Sequence, residues 1–227
     1  MKASQSIRSV DKELSVLGLT NVASGGVLTV TTSSFATAGL DLRGGTLTAP
    51  TLVDFGSVNF SSGTLNVTAA PGVTIGPGSA FGESLTLDSS NTLSVTYTTT
   101  IAANGTLTVD GATVTTGPLI NNGTFNFSSG TLTVKAALQV ESGALLGGTV
   151  VIDGSKTLQP DYLNVGRTSD GSLSIIDGGR VNVADQFTSG TNEGAHSTVV
   201  VRGFGSKNDV GCDFRCGRKG HWLAQHQ

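Results

Sequence analysis

A glycine followed by alternating apolar and polar residues recurs along almost the whole chain, and this rhythm restricts the fold more than any other feature. It reads GVLTV at 26–30, GTLTA at 45–49, GSVNF at 56–60, GTLNV at 63–67 and, loosely, GESLTL at 82–87. It continues as GTLTV at 105–109, GTFNF at 123–127, GTLTV at 130–134, GTVVI at 148–152, GSLSI at 171–175 and GRVNV at 179–183. Strict alternation is the period of a strand with one face buried and one wet. Glycine ahead of each strand permits a corner conformation that a side chain would forbid.

The heptapeptide NFSSGTL stands at 59–65 and again at 126–132. Gly56, Gly63, Gly82 and Gly105 map onto Gly123, Gly130, Gly148 and Gly171 with offsets of 67, 67, 66 and 66. A repeat of this size divides into three coils of about 22 residues, within the range of solenoid repeats. One coil buries too little to be stable alone, whereas stacked coils share an apolar column and pair their backbones at ~4.8 Å spacing. The expectation is an all-β chain: a right-handed, single-stranded parallel β-helix (β-solenoid) of about eight coils over residues 18–206. Residues 1–17 are read as an N-terminal cap or lead-in segment, and 207–227 as an aberrant or disordered tail. Residues 9–19 carry the only helix-compatible spacing, suited to a short cap that covers the terminal strand edge.

Composition agrees with this reading. The chain holds 32 Gly and 5 Pro, and 13% of its residues are charged, against roughly a quarter in an ordinary globular domain. A net charge of −3 provides no basic field to recruit nucleic acid or acidic lipid, so nucleic acid is not an expected partner. No apolar stretch reaches the ~20 residues of a membrane-spanning helix, and the opening MKASQSIRSVDKELSVLGL has no signal-peptide core. Both cysteines lie in the last sixteen residues, so no disulfide framework holds the fold. Asp-Gly at Asp110, Asp153 and Asp177, and Asn-Gly at Asn104 and Asn122, read as turns that close strands. The Gly-Gly-x-Gly-x-Asp nonapeptide of calcium-binding β-rolls is absent. Val58 and Phe125, and likewise Phe60 and Phe127, are repeat-equivalent and expected to stack in the core.

From Leu163 the pattern sharpens into LNVGRTSDGSLSIIDGGRVNVADQFTSGTNEGAHSTVVVRGFGS. This resembles the repeats of autotransporter passenger domains and related exported bacterial surface proteins, which run L-x-V-G, G-x-L-x-I, G-G-x-V-x-V and V-x-V-x-G-x-G-S. Residues 163–166, 171–175, 178–183 and 199–206 fill those places, and the FSSGTL copies resemble strand repeats of the same group. The resemblance covers roughly 18–206. It implies a parallel β-helix, export to the cell surface or outer membrane, and adhesion or surface scaffolding. It also implies a C-terminal membrane barrel or sorting segment, so the chain reads as an internal piece of a longer protein.

At Asn208 the composition changes abruptly to NDVGCDFRCGRKGHWLAQHQ. The leading reading is a shifted reading frame, since back-translation displaced by one base permits a GTGSLS string that resumes the repeat. An exposed natural tail is the second reading. The third is a zinc site of Cys212, Cys216, His221 and His226, because thiolate and imidazole at short spacing suit tetrahedral zinc. Its C-x3-C-x4-H-x4-H spacing departs from the usual knuckle in the first interval and the last ligand.

No nucleophile elbow or phosphate-cradling loop occurs. Enzymes built on parallel β-helices act chiefly on polysaccharides, with paired carboxylates or a base beside cations. The only sets that stacking could gather are Asp41 with Arg43 and Asp54, and Asp170 with Arg167 and Arg180; solvated corners explain both. His196 lacks an acid or nucleophile partner. Asn-x-Ser/Thr sequons such as those at Asn66 and Asn104 arise freely in a Thr-rich repeat. The outer Thr, Ser and Asn form a nearly uncharged wall able to hydrogen-bond a glycan or a neighbouring surface protein at many weak points. The expected function is therefore a non-enzymatic structural or adhesive repeat domain without cofactor, metal or catalytic residue. The alternative is a fragment of a carbohydrate-active β-helix enzyme.

Overall fold

A computed structural model describes residues 4–7, 13–31, 34–52, 56–190, 192, 194–210, 213–216 and 220–224, with side chains for 16–31, 36–52, 56–190, 192 and 194–207. The described residues are all-β, without helix, and their parallel strands stack as a β-solenoid of about 8 turns. The chain divides into two compact units, Met1–Phe127 and Ser128–Gln227.

Each unit has three walls, and the alternation seen in the sequence decides which side chains fill them. In the first unit one wall stacks Leu28 on Leu47, Leu47 on Leu65, Leu65 on Leu93 and Leu93 on Val114. A second stacks Val73, Thr99 and Leu119, and a third pairs Leu85 with Leu107. In the second unit the columns are Leu132, Leu158 and Val181; Leu138, Leu163 and Phe187; and Val150, Leu173 and Val199. Leu47, Leu65, Leu93, Leu107, Leu132, Leu158 and Leu173 are completely buried. Each such side chain contributes roughly 1.5–3 kcal/mol relative to exposure. Most intervening Thr, Ser and Asn face outward, and neighbouring coils pair their strands in parallel within each unit.

Coil length is not uniform. Leu65 follows Leu47 by 18 residues, whereas Leu93 follows Leu65 by 28. The longer coil carries the corner loop at 76–82. There Ser79 N donates to Gly76 O and Gly82 N to Ser79 O. The same bonds recur when Ala144 N donates to Glu141 O and Gly147 N to Ala144 O. Gly82 is thus the counterpart of Gly147, not of Gly148 as the repeat alignment had it. The 67-residue offset holds for the NFSSGTL strands and drops to 65 at these loops, because the two corners preceding them differ by two residues.

Three further expectations change. The described part of 9–19 is not helical; it belongs to strand Glu13–Ala23, paired in parallel with Ser34–Ala49. The neighbouring coil supplies backbone partners that a lone turn of helix could not match, so tertiary pairing overrides local propensity. Asp110-Gly111 does not end its strand. Thr106–Thr116 runs through it by a bulge, with both residues opposite Asp88 and Gly111 at φ 94°. Phe60 is core, stacked beside Leu42, but its equivalent Phe127 is only half-buried, as is Phe125. In the tail, strands Lys207–Val210, Asp213–Cys216 and Gly220–Ala224 pair in parallel with the preceding coil.

Candidate functional site

The outward face of the second unit carries a shallow polar groove of about 220 Å³, bordered by Thr133, Lys135, Gln159, Pro160, Asp161 and Asn182. It arises where successive strands turn from one wall to the next. Thr133 and Gln159 are opposite each other in adjacent coils, so both point outward from the column that buries Leu132 and Leu158. Thr133 Oγ1 donates to Gln159 Oε1 at 2.9 Å. The Lys135 ammonium lies 3.8 Å from the Asp161 carboxylate, with the lysine side chain 59% exposed. That is a loose, solvated pair, which leaves lysine donors, amide groups and a carboxylate along one strip.

Similar neutral pairs bridge coils in the first unit. Asn66 Nδ2 donates to Thr48 Oγ1 at 3.0 Å and Asn126 Nδ2 to Thr108 Oγ1 at 3.3 Å. Each joins positions 18 residues apart on neighbouring coils. A larger hollow of about 360 Å³ is lined by Thr51, Leu52, Val73, Thr74, Ala80 and Phe81 among others. The buried Thr51 Oγ1 finds no partner among the described residues. Residues 53–55, next in the chain, lie outside them.

Of the charged sets considered from sequence, Asp41 and Arg43 come together. Arg43 Nε lies 2.8 Å from Asp41 Oδ2, and Asn59 Nδ2 donates to Asp41 Oδ1 at 3.0 Å. Their third member, Asp54, lies outside the described residues. The other set does not assemble. Asp170 Oδ1 accepts the backbone N–H of His196 at 2.7 Å, and among the described residues no ion pair links it to Arg167 or Arg180. His196 also accepts Gly171 N through its carbonyl, at 2.9 Å, while the residue itself is exposed.

Cys212 and His226 lie outside the described residues, and Cys216 and His221 fall in strands whose side chains are not described. Among the described residues no three His, Cys, Asp or Glu side chains gather as a metal site. Among the described residues no helix is long and apolar enough to cross a membrane.

One acidic residue went unnoticed in the sequence. Glu141 is 5% exposed. Its Oε2 accepts Thr168 N at 2.6 Å and Ser169 N at 3.3 Å, and its Oε1 accepts the Thr168 hydroxyl at 3.0 Å. Burial alone would push this carboxyl up, but the donors outweigh it and hold it below the ordinary value. Asp88 and Asp153 are also held low, first by the hydroxyls of Ser90 and Ser155. In all three the donors of the corner favour the ionised form. No local motif marks Glu141, since its partners lie 27 and 28 residues ahead.

No protein-family model matches the chain, and no curated protein or solved structure matches it.

Proposed function

We propose that this chain is a non-enzymatic structural or adhesive repeat domain of a bacterial surface or secreted protein of the autotransporter-like kind, working outside the cell. The observation that supports this reading is the outward side of the strands in each unit, where neutral hydroxyl and amide side chains meet across neighbouring coils at Thr48 and Asn66, Thr108 and Asn126, and Thr133 and Gln159. Each outer group offers one weak contact, and a row of them at coil spacing converts weak contacts into useful avidity. In the second unit the groove beside Lys135 and Gln159 adds an ammonium and a carboxylate to such groups and suits the hydroxyls of a glycan.

The test is a glycan array probed with the purified chain, once as a monomer and once clustered on a multivalent carrier. Clustering should raise apparent affinity by roughly 10²-fold or more. Lys135→Ala and Gln159→Ala should lower capture while shifting folding stability by no more than about 0.5 kcal/mol. Absence of any captured glycan on the clustered chain would sink the adhesive reading. Release of new reducing ends from a polysaccharide, abolished by Asp41→Asn, would instead establish the carbohydrate-active enzyme.

A further inference from the structure

Five Asn-x-Ser/Thr sequons occur, at Asn59, Asn66, Asn104, Asn122 and Asn126. In sequence they are indistinguishable; in the fold they are not. Asn59, Asn66 and Asn126 sit within strands, and each donates its amide nitrogen across to the next coil, to Asp41, Thr48 and Thr108. Asn66 is half-buried and its strand is paired on both sides, to Thr48 and Ser94. Asn59 and Asn126 are exposed, but to enter another protein's active site each must first break its cross-coil hydrogen bond and leave the extended strand backbone. Asn104 and Asn122 occupy one corner in successive coils, both exposed, and among the described residues neither side-chain amide has a partner.

The two corners differ in length. Ile101 pairs with Asn121, and the walls resume where Thr124 N donates to Gly105 O. The earlier coil therefore spends Ala102, Ala103, Asn104 and Gly105 on its corner, and the later one only Asn122 and Gly123. The longer corner closes on itself, with Gly105 N donating to Ala102 O at 2.9 Å. Asn104 stands at its tip with φ 63°, a left-handed conformation that Asn tolerates better than most residues. Asn122 is instead pinned through its own backbone, its N–H donating to Ile101 O at 2.8 Å.

We infer that Asn104 is an N-glycan acceptor site on the folded chain, the single sequon of the five that the native structure presents. The step is a transfer from a nucleotide-diphosphate-activated sugar. Asn104 Nδ2 attacks the anomeric carbon, the C1–O bond breaks with its electron pair leaving on the diphosphate, and a base of the transferase takes the amide proton. Thr106 supplies the sequon hydroxyl. The biological setting rests on the surface reading above, but the acceptor chemistry is measured independently of glycan capture by the wall.

The experiment treats the purified, folded chain with a soluble sequon-specific N-glycosyltransferase and a UDP-hexose, followed by intact-mass and peptide analysis. The urea-unfolded chain is the control. The unfolded chain should be modified at several sequons and the folded chain at Asn104. Strand asparagines should react at least about tenfold more slowly, because they wait on local opening. Thr106→Ala should abolish modification and Thr106→Ser restore it, with Asn104 and its turn left intact; Asn104→Gln should also abolish it. Equal occupancy at Asn59, Asn66 or Asn126 in the folded chain, or an unmodified Asn104 there while the unfolded chain reacts, overturns the assignment.

Discussion

At the scale of single residues, the solenoid is fastened by a few polar groups hidden among its apolar columns. Thr99 Oγ1 lies 2.7 Å from Thr116 Oγ1, both fully buried, and Thr20 Oγ1 lies 2.9 Å from Thr37 Oγ1. Each pair is 17 residues apart, and Thr37 and Thr116 each also donate to a carbonyl 19 residues back. The same lock is thus built twice on adjacent-coil geometry. Leaving one buried hydroxyl without its mate costs the desolvation of that group, whereas removing both can be nearly neutral. Thr116→Val should therefore lower unfolding free energy by about 1–3 kcal/mol, and Thr99→Val with Thr116→Val together should recover most of it. Urea unfolding of the single and double variants provides the measurement. Simple additivity of the two losses would show that the hydroxyls do not act as a pair.

At the scale of the element, alternation and glycine placement made the strands readable, and the parallel stacking followed because no single coil could hide its own apolar face. Corners were less readable, because the Gly147-Gly148 doublet lets an alignment slip by one residue without changing a letter. Glu141 was hidden for a related reason: its acceptors' donors lie one coil away, and coil length had to be known before they could be assigned. The polar groove likewise depends on which outward residues fall opposite each other. At Gly63 the demand on the backbone is explicit. Its φ is 102°, and an added Cβ would stand 2.3 Å from Gly45 O in the neighbouring coil. Gly63→Ala should destabilise the first unit by about 2–4 kcal/mol, from the forbidden dihedral and the backbone clash together. Thermal unfolding that matched the parent chain would contradict the close approach.

At the scale of the whole molecule, ionisation sets how stability follows pH. Asp88, Glu141 and Asp153 all titrate below their ordinary values of 3.8, 4.5 and 3.8. A folded-state value below the unfolded one means that the unfolded chain binds more protons, so stability rises with pH across that interval. The contribution is complete above the unfolded values and disappears as pH falls through the folded ones. The urea midpoint should therefore be level near neutrality and decline below about pH 4.5. Glu141→Gln keeps one carbonyl acceptor for the N–H groups of Thr168 and Ser169 but loses the charge and turns an NH2 towards the Thr168 hydroxyl. It should cost about 1–3 kcal/mol at neutral pH and make the acid decline shallower. An unchanged decline in that variant would remove Glu141 from the account.

The corner loops hold a consequence of another kind. At Gly78 and Gly143 a side chain would meet nothing within 4 Å, and the coil bearing the first loop is already ten residues longer than the one before it. Chain spliced there would ride outside the stack and leave the leucine columns untouched. A scaffold with such graft points can change what it presents while keeping what it is made of.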